Sequence, residues 1–437
     1  MGDAQTGQGV IVIGGGLLGL FSAYYLQQAG MPVTILERGK IGGGASRFNA
    51  GLITSVVAPL PAPGTIGPTV RTMFSGDRAL YVSPRQLLSA APFFLRFASN
   101  CGESAYARGA AALSDLNAGT LELFRDLQVA GLAGSIQDSG YMMCYSDPSA
   151  AHEGHRFYER SPHAVCPPAP VLQGSAVTAA EPSLSPGVAA AFVRPAELWC
   201  NPSLLVDELA SALRDNGCEV VEGARVTLVH DTAGGAEVES SMGRFTGRAA
   251  VVAAGAWSEE LGRVAGFTMG IQPGKGYGFS VEPRAMPQRC LFFAQARVIA
   301  TPIGERLRLA GTMEFGGGAE SFERRRIRAI VKAVSPLLVG IDWENRTHEW
   351  VAPRPMTPDG LPSIGRMPGS RHVFVATGHN MLGLTLGPAT GRVIADMVTG
   401  HEPGVDLAPF EVGRFWRWPW HRRDGAWFTL PSRRHPR

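Results

Sequence analysis

The stretch VIVIGGGLLGLFSAYYLQQAGMPVTILER, Val10 to Arg38, decides the fold. Val10 to Ile13 is a short apolar strand, the spacing beyond it is helical, and a second strand closes on Glu37. Between strand and helix, Gly14, Gly16 and Gly19 keep the G-x-G-x-x-G spacing. Gly14 makes the tight turn, Gly16 lets a diphosphate approach bare backbone, and Gly19 lets helix and strand pack closely. Free N–H groups at the helix start, around Leu17 and Leu18, then face the phosphates. Glu37 stands where a carboxylate accepts hydrogen bonds from a ribose diol, with Arg38 beside it. Strand, turn, helix, strand and acid in this order predict a dinucleotide site.

The rest of the chain is large enough to surround such a site. Its 437 residues suit two domains or one interleaved pair, and 45% hydrophobic with 18% charged residues is ordinary for a globular protein. A net charge of +3 with no basic run in the middle of the chain argues against nucleic acid. Positive charge is almost all arginine, which singles out Lys40, Lys275 and Lys332. Cys101, Cys144, Cys166, Cys200, Cys218 and Cys290 include no C-x-x-C pair and read as free thiols in a reducing compartment. No apolar run reaches the roughly 20 residues of a membrane span, and the polar N-terminal stub lacks a leader pattern. A cytoplasmic protein is expected.

Beyond Arg38, the run IGGGASRFNAGLITSVVAPLPAPG (Ile41 to Gly64) is too rich in glycine for a long helix and suits close backbone approach to a flat ligand. Leu113, Leu116, Leu121, Leu123, Phe124 and Leu127 predict helices between Gln86 and Gly134. GYMMCY (Gly140 to Tyr145) reads as a strand. Asn201 and Pro202 open a helix with a Leu205, Leu209, Leu213 stripe, ended by Gly217. Arg248 to Trp257 reads as a buried parallel strand running into an Ala254–Gly255 turn. From Gln272 to about Trp350 the pattern is antiparallel β.

A second strand–turn–helix follows, with a strand at His372 to Ala376, the turn TGHNMLGLTLGPATG and a helix from near Leu384. A helix N-terminus here would stabilise the negative charge of a reduced flavin, which favours FAD over a nicotinamide. The expected fold is therefore α/β, a Rossmann-like FAD-binding domain interleaved with an α+β substrate domain on an antiparallel sheet. The FAD-binding domain is expected at 1–85, 200–271 and 350–410, the substrate domain at 86–199 and 272–349, and a basic aromatic tail at 411–437.

Three further features bear on chemistry. Arg354, between Pro353 and Pro355, offers a stiffly held guanidinium fork for a carboxylate. Lys275, with Tyr277 in PGKGYGFS, reads either as a group near the flavin or as solvent-facing, and His379 either as a ligand contact or as a structural hydrogen-bonding group. His152, His155, His163 and Cys166 have spacings compatible with zinc, but no second cysteine pair accompanies them, so no metal is expected. The tail, with Trp416, Trp418, Trp420 and Trp427 among seven arginines, suits an anionic membrane interface or packing on protein.

Four blocks resemble the D-amino-acid oxidase superfamily of FAD enzymes: GGGLLG with Glu37, SRFNAG at Ser46 to Gly51, PGKGYGF with RLRLAGTMEF, and RPMTPDGLPSIG followed by TGHNMLGLTLGPATG. Among its branches the chain looks most like the bacterial D-amino-acid dehydrogenase small subunit. The resemblance implies oxidation of an amino acid's Cα–N bond by hydride transfer to flavin N5, with an imino acid released. It implies that Arg354 grips the substrate carboxylate. It also implies an FAD shell of Gly14, Gly16, Leu17, Leu18, Gly19, Glu37, Arg38, Ser46, Asn49, Ala50, Gly51, Leu52, Val226, Ala254, Gly255, Gly378, His379, Gly383, Leu384 and Thr385. No cysteine lies beyond Cys290, so non-covalent FAD is expected. The turn TGHNMLGLTLGP leans toward relatives acting on cyclic amines such as hydroxyproline. The electron acceptor is expected to be a membrane quinone or electron-transfer protein. The alternatives are an oxidase using oxygen on glycine, sarcosine or a cyclic amine, and a non-catalytic flavoprotein subunit of a membrane complex.

Overall fold

A computed structural model describes residues 7–67, 70, 73–76 and 78–415. The expected membrane contact of the tail falls almost wholly on residues 416–437, outside the described residues. Val10–Ile13 is the inner strand of a six-stranded sheet, flanked in parallel by Val33–Glu37 and Ala249–Val252. Glu219–Glu222 and Val373–Thr377 extend it on either side, also in parallel, and Ser363–Arg366 closes one edge antiparallel. Strands buried on both faces have no room for polar alternation, which is why VIVI and AAVV are continuously apolar.

Alternate residues still choose faces. Val10, Val12, Ile35 and Val251 pack beneath the helices Leu17–Gln28, Pro202–Asp215 and Gly387–Thr399. Ile11, Ile13, Leu36 and Val252 meet the meander of Val226–Thr232, Gly235–Ser240 and Gly243–Gly247. The Asn201 carboxamide accepts from Ser203 and Leu204 N–H at 3.1 and 3.4 Å, capping the second helix, whose leucine stripe is buried. The first and last helices approach closely because a Cβ on Gly387 or Gly391 would lie 2.5 or 2.6 Å from Phe21.

The chain leaves this sheet to build a nine-stranded one, antiparallel through Thr347–Met356, Gln272–Val281, Arg306–Phe315, Val298–Ile303 and Cys290–Phe293. Parallel pairings bring in Tyr141–Tyr145 and Leu80–Val82. The α/β architecture of two interleaved sheets therefore holds. Thr347–Met356 belongs to the second sheet, so Arg354 stands there and not among the strands of the first, with which the expected 350–410 segment groups it. The β-rich span also contains a helix, Arg324–Val334, whose Ile327, Ile330 and Val334 seal the back of the sheet. The last helix begins at Gly387, three residues after the expected start, because Pro388 suits a first helical turn and the preceding residues form turns.

All six cysteines are free thiols. Among the described residues no helix is long and apolar enough to cross a membrane, and no three His, Cys, Asp or Glu side chains could hold a metal. His152 instead pairs with Gln173 at 2.9 Å, and His155 stands edge-on to Phe192.

Candidate active site

The carboxyl ends of four parallel strands open on one cavity of about 1060 Å³ that continues between the two sheets. Gly14 follows the first strand at φ +109°, and a Cβ there would lie 2.6 Å from the Ala253 carbonyl oxygen. Gly16 is different. Its only near neighbour would be Ser46 Oγ at 3.0 Å, so it presents open backbone to the cavity. Ser46 Oγ also accepts from Leu17 N–H at 2.9 Å, which joins the SRFNAG loop to the helix start. Asn49 holds that loop, donating to Ser46 O at 2.6 Å and accepting from Gly51 N–H at 2.7 Å.

Glu37 lines the cavity and accepts from Gly15 and Gly39 N–H, both at 2.8 Å, so its carboxylate is fixed before any ligand arrives. Arg38 lies 3.5 Å over the Trp257 ring. Leu17, Leu18, Ala50, Leu52, Val226, Ala254, Gly255, His379, Gly383, Leu384 and Thr385 also reach the cavity wall. Gly19, Gly51 and Gly378 do not. They act one layer back, where a Cβ would meet Gly14 O at 1.9 Å, Cys200 O at 2.2 Å and Thr357 Cγ2 at 2.7 Å.

Across the cavity, strand alternation sorts the PGKGYGF block. Gly276 lines the cavity, and a Cβ there would lie 2.3 Å from the Arg354 guanidinium; a Cβ on Gly278 would lie 2.2 Å from Trp350. These glycines are the space in which two large side chains cross the strand. Lys275 and Tyr277 therefore point to the opposite face, away from the cavity, and Lys275 is buried, not solvent-facing. Its ammonium donates to Ser321 Oγ at 2.9 Å and lies 3.8 Å from Glu314, and burial lowers its pKa. The Tyr277 hydroxyl donates to Glu314 at 2.6 Å; burial, then that carboxylate, push its pKa up.

Arg354 faces the cavity with no carboxylate within ion-pair distance among the described residues. Its Nη1 donates to Thr312 O at 2.8 Å, and no protein acceptor takes Nε or Nη2 among those residues. Burial alone pulls its pKa down to about 10, so the guanidinium remains charged at neutral pH. Thr312 sits at a bulge, where three steps from Gly311 to Glu314 face two from Tyr277 to Lys275. It holds φ +58°, and its buried Oγ1 has no partner. His379 is buried; its Nε2 meets Thr390 Oγ1 at 2.9 Å, and desolvation lowers its pKa to about 3, so it is neutral.

Asn380, which the sequence reading passed over, links the two halves. Its N–H donates to Pro355 O at 3.1 Å, and its side-chain oxygen accepts from Thr357 N–H at 2.9 Å. Its amide nitrogen donates to Gly378 O at 2.9 Å. The end of the Arg354 strand and the second glycine turn are thereby one piece. The adjacency of TPD and GHN at two ends of one chain segment carries no sequence pattern that pairs them.

A cavity bounded by a G-x-G-x-x-G turn, an acid at the neighbouring strand end and a second glycine turn has the form of a dinucleotide-dependent enzyme's site. The family model for FAD-dependent oxidoreductases matches residues 9–397, and the chain belongs to that family. Similar proteins include D-amino acid dehydrogenase of Methylobacterium radiotolerans, 30% identical with 93% of this chain and 99% of the relative covered. The Cereibacter sphaeroides protein of the same name is 28% identical, covering 93% and 95%. Among solved structures, glycine oxidase from Geobacillus kaustophilus superposes with a TM-score of 0.72 at 25% identity, covering 93% of this chain and 98% of that one. L-proline dehydrogenase from P. horikoshii gives 0.69 at 18%, covering 94% and 98%, a likeness of fold. The cofactor is FAD.

Proposed function

We propose that this enzyme oxidises the Cα–N bond of an α-amino acid, a D-amino acid or a cyclic imino acid, and passes the electrons to an acceptor other than oxygen. The observation that carries the reading is Arg354: a half-buried, charged guanidinium faces the cavity with Nε and Nη2 free of protein acceptors and no carboxylate to neutralise it among the described residues. Burying such a charge unpaired is costly, and a substrate carboxylate supplies the missing partner bidentately. The names of similar relatives agree with a D-amino acid substrate.

The residues present fit FAD. The open backbone at Gly16 to Leu18 would meet the diphosphate, Glu37 the ribose and Val226 the adenine. Ala254, Gly255 and Gly383 to Thr385 would bound the flavin end. No cysteine lines the cavity among the described residues, in keeping with a non-covalent cofactor. Bound FAD supplies the hydride acceptor. Arg354 fixes the carboxylate and so orients Cα, which is the orientation part of catalysis. His379 is neutral and buried, so it adds no positive charge that would repel the substrate amine. The amine's proton leaves to solvent before the C–H bond breaks.

The test is anaerobic bleaching of the FAD-loaded protein by a panel of D-, L- and cyclic amino acids. Bleaching by members of that panel supports the reading; a flavin that none of them bleaches overturns it. The acceptor is tested separately. Hydrogen peroxide appearing at the rate of substrate loss would exclude the dehydrogenase form and leave an oxidase. A membrane quinone or an electron-transfer protein is the proposed acceptor, at the cytoplasmic side, with the tryptophan- and arginine-rich tail as the proposed membrane contact.

A further inference from the structure

One part of the cavity is not needed for FAD or for the carboxylate. Met313 Sδ lies 3.7 Å from Arg354 Nη1, and from there the wall becomes apolar. Met313, Met356, Phe93 and Phe315 are buried in one cluster with Phe94 and Met73 at its edge, and all six side chains also line the cavity. The rings are arranged as a cup. Phe94 meets Phe93 at 5.3 Å and Phe315 at 5.4 Å, both edge-to-face, and Phe93 meets Phe315 at 5.8 Å. These six residues therefore offer ring faces and edges and three thioethers, with no charge of their own.

We propose that this compartment receives the substrate's side chain, and that the preferred substrates are amino acids with bulky apolar side chains, aromatic, branched or thioether. The inference rests on the amino-acid reading above and deepens it. A carboxylate held on Arg354 leaves Cα beside Met313, so the substituent on Cα has the methionine–phenylalanine wall next to it. An apolar side chain filling that wall displaces water that finds no hydrogen-bonding partner among these six residues. A carboxylate or ammonium placed there would lose its hydration with nothing in return. Alanine and glycine would leave the wall uncovered. The three methionines, unbranched and polarisable, adapt to more than one shape, so the selection is for apolar bulk and not for one amino acid. In such a pocket each methylene is worth about 10–200-fold in discrimination.

The experiment compares kcat/KM for anaerobic flavin reduction by D-phenylalanine, D-leucine, D-methionine, D-alanine, glycine and D-aspartate, using the FAD holoenzyme. At least a tenfold advantage for the three bulky substrates over alanine is expected, with glycine and aspartate lower still. The Phe94→Ala variant, whose ring stands at the edge of the cluster, should lower kcat/KM for the three bulky substrates more than for alanine and so shrink that advantage, with flavin content matching the parent. A measurement on the unaltered protein accompanies it: phenylacetate should perturb the flavin spectrum at concentrations at least tenfold below those acetate requires. Reduction by amino acids with alanine or aspartate as good as phenylalanine, or equal binding of the two acids, overturns this inference and leaves the amino-acid reading standing. A flavin that no amino acid reduces overturns both.

Discussion

Arg354 Nη1 donates to the carbonyl of Thr312 at 2.8 Å, and Thr312 is held at φ +58°, a left-handed conformation that β-branched residues rarely adopt. The strained residue thus presents the acceptor that aims the charged one. Strain of this sort costs on the order of 1–3 kcal/mol and persists only where neighbours enforce it. Here the enforcing neighbours are the strand ladder around the bulge and Glu314 on its far side, which takes the Tyr277 hydroxyl.

Replacing Thr312 separates strain from function. Thr312→Gly should unfold at an equal or higher urea concentration than the parent, because the left-handed backbone no longer meets a Cβ. Its KM for amino acid should rise several-fold as the Arg354 acceptor loosens, with kcat less affected. A lower unfolding midpoint with unchanged KM would show that the conformation is unstrained and without influence on the site.

Substitution of Arg354 tests the carboxylate contact. Arg354→Met should lower kcat/KM for amino acids by at least about 100-fold, the worth of two charge-assisted hydrogen bonds. Arg354→Lys should recover little of the loss, since a single ammonium cannot reproduce the fork. FAD content, read from the absorbance ratio of flavin to protein, should match the parent in both.

The buried imidazole of His379 makes stability depend on pH. Its folded pKa of about 3 lies below the unfolded 6.5, so between those values the unfolded chain binds the extra proton. Stability contributed by the neutral ring is full above pH 6.5 and falls as pH drops toward 3, by up to about 1.4 kcal/mol per pH unit. His379→Gln, which can still reach Thr390, should show a shallower loss of unfolding free energy from pH 6.5 to 4.5 than the parent. Parallel curves would refute the assignment.

Glu197 and Arg194 form a buried ion pair that reaches the run from Ile41 to Gly64. Glu197 accepts from Ser55 N–H and Ser55 Oγ, both at 2.6 Å, and Arg194 donates to Thr54 Oγ1 at 3.0 Å. Glu197→Ala leaves a buried guanidinium uncompensated and should cost about 3–5 kcal/mol in denaturant unfolding. The double variant Arg194→Met with Glu197→Leu should recover most of that loss, while FAD dissociates faster from both proteins than from the parent.

The fingerprint around Gly14 was legible because each of its steps has a local cause: apolar strand, positive φ, close packing, terminal acid. The same holds for Asn201, whose cap and following proline announce a helix without tertiary help. Lys275 and Tyr277 mislead because a motif names residues and not faces. In PGKGYGF the glycines are the cavity side, and the conspicuous lysine is behind the sheet. Thr312 carries no mark at all, since its strain comes from a bulge created by register against another strand. Phe93, Phe94 and Phe97 look like ordinary helix core, and only the second sheet shows that some of their faces line a cavity. The helix Arg324–Val334 has Ile327, Ile330, Val331 and Val334 at helical spacing, and only the β pattern on either side of it, extended across the span, hides it.

Asn380 has a consequence for how such an enzyme can change. By joining Pro355, Thr357 and Gly378 it sets the spacing between the Arg354 strand and the second glycine turn, as a gauge block sets the gap between two jaws. Met356 lies within that joint, between Pro355 and Thr357, and the rest of the methionine–phenylalanine wall stands outside it. Residues on the rest of the wall can therefore be exchanged while the distance between the Arg354 strand and the second glycine turn stays where one carboxamide put it.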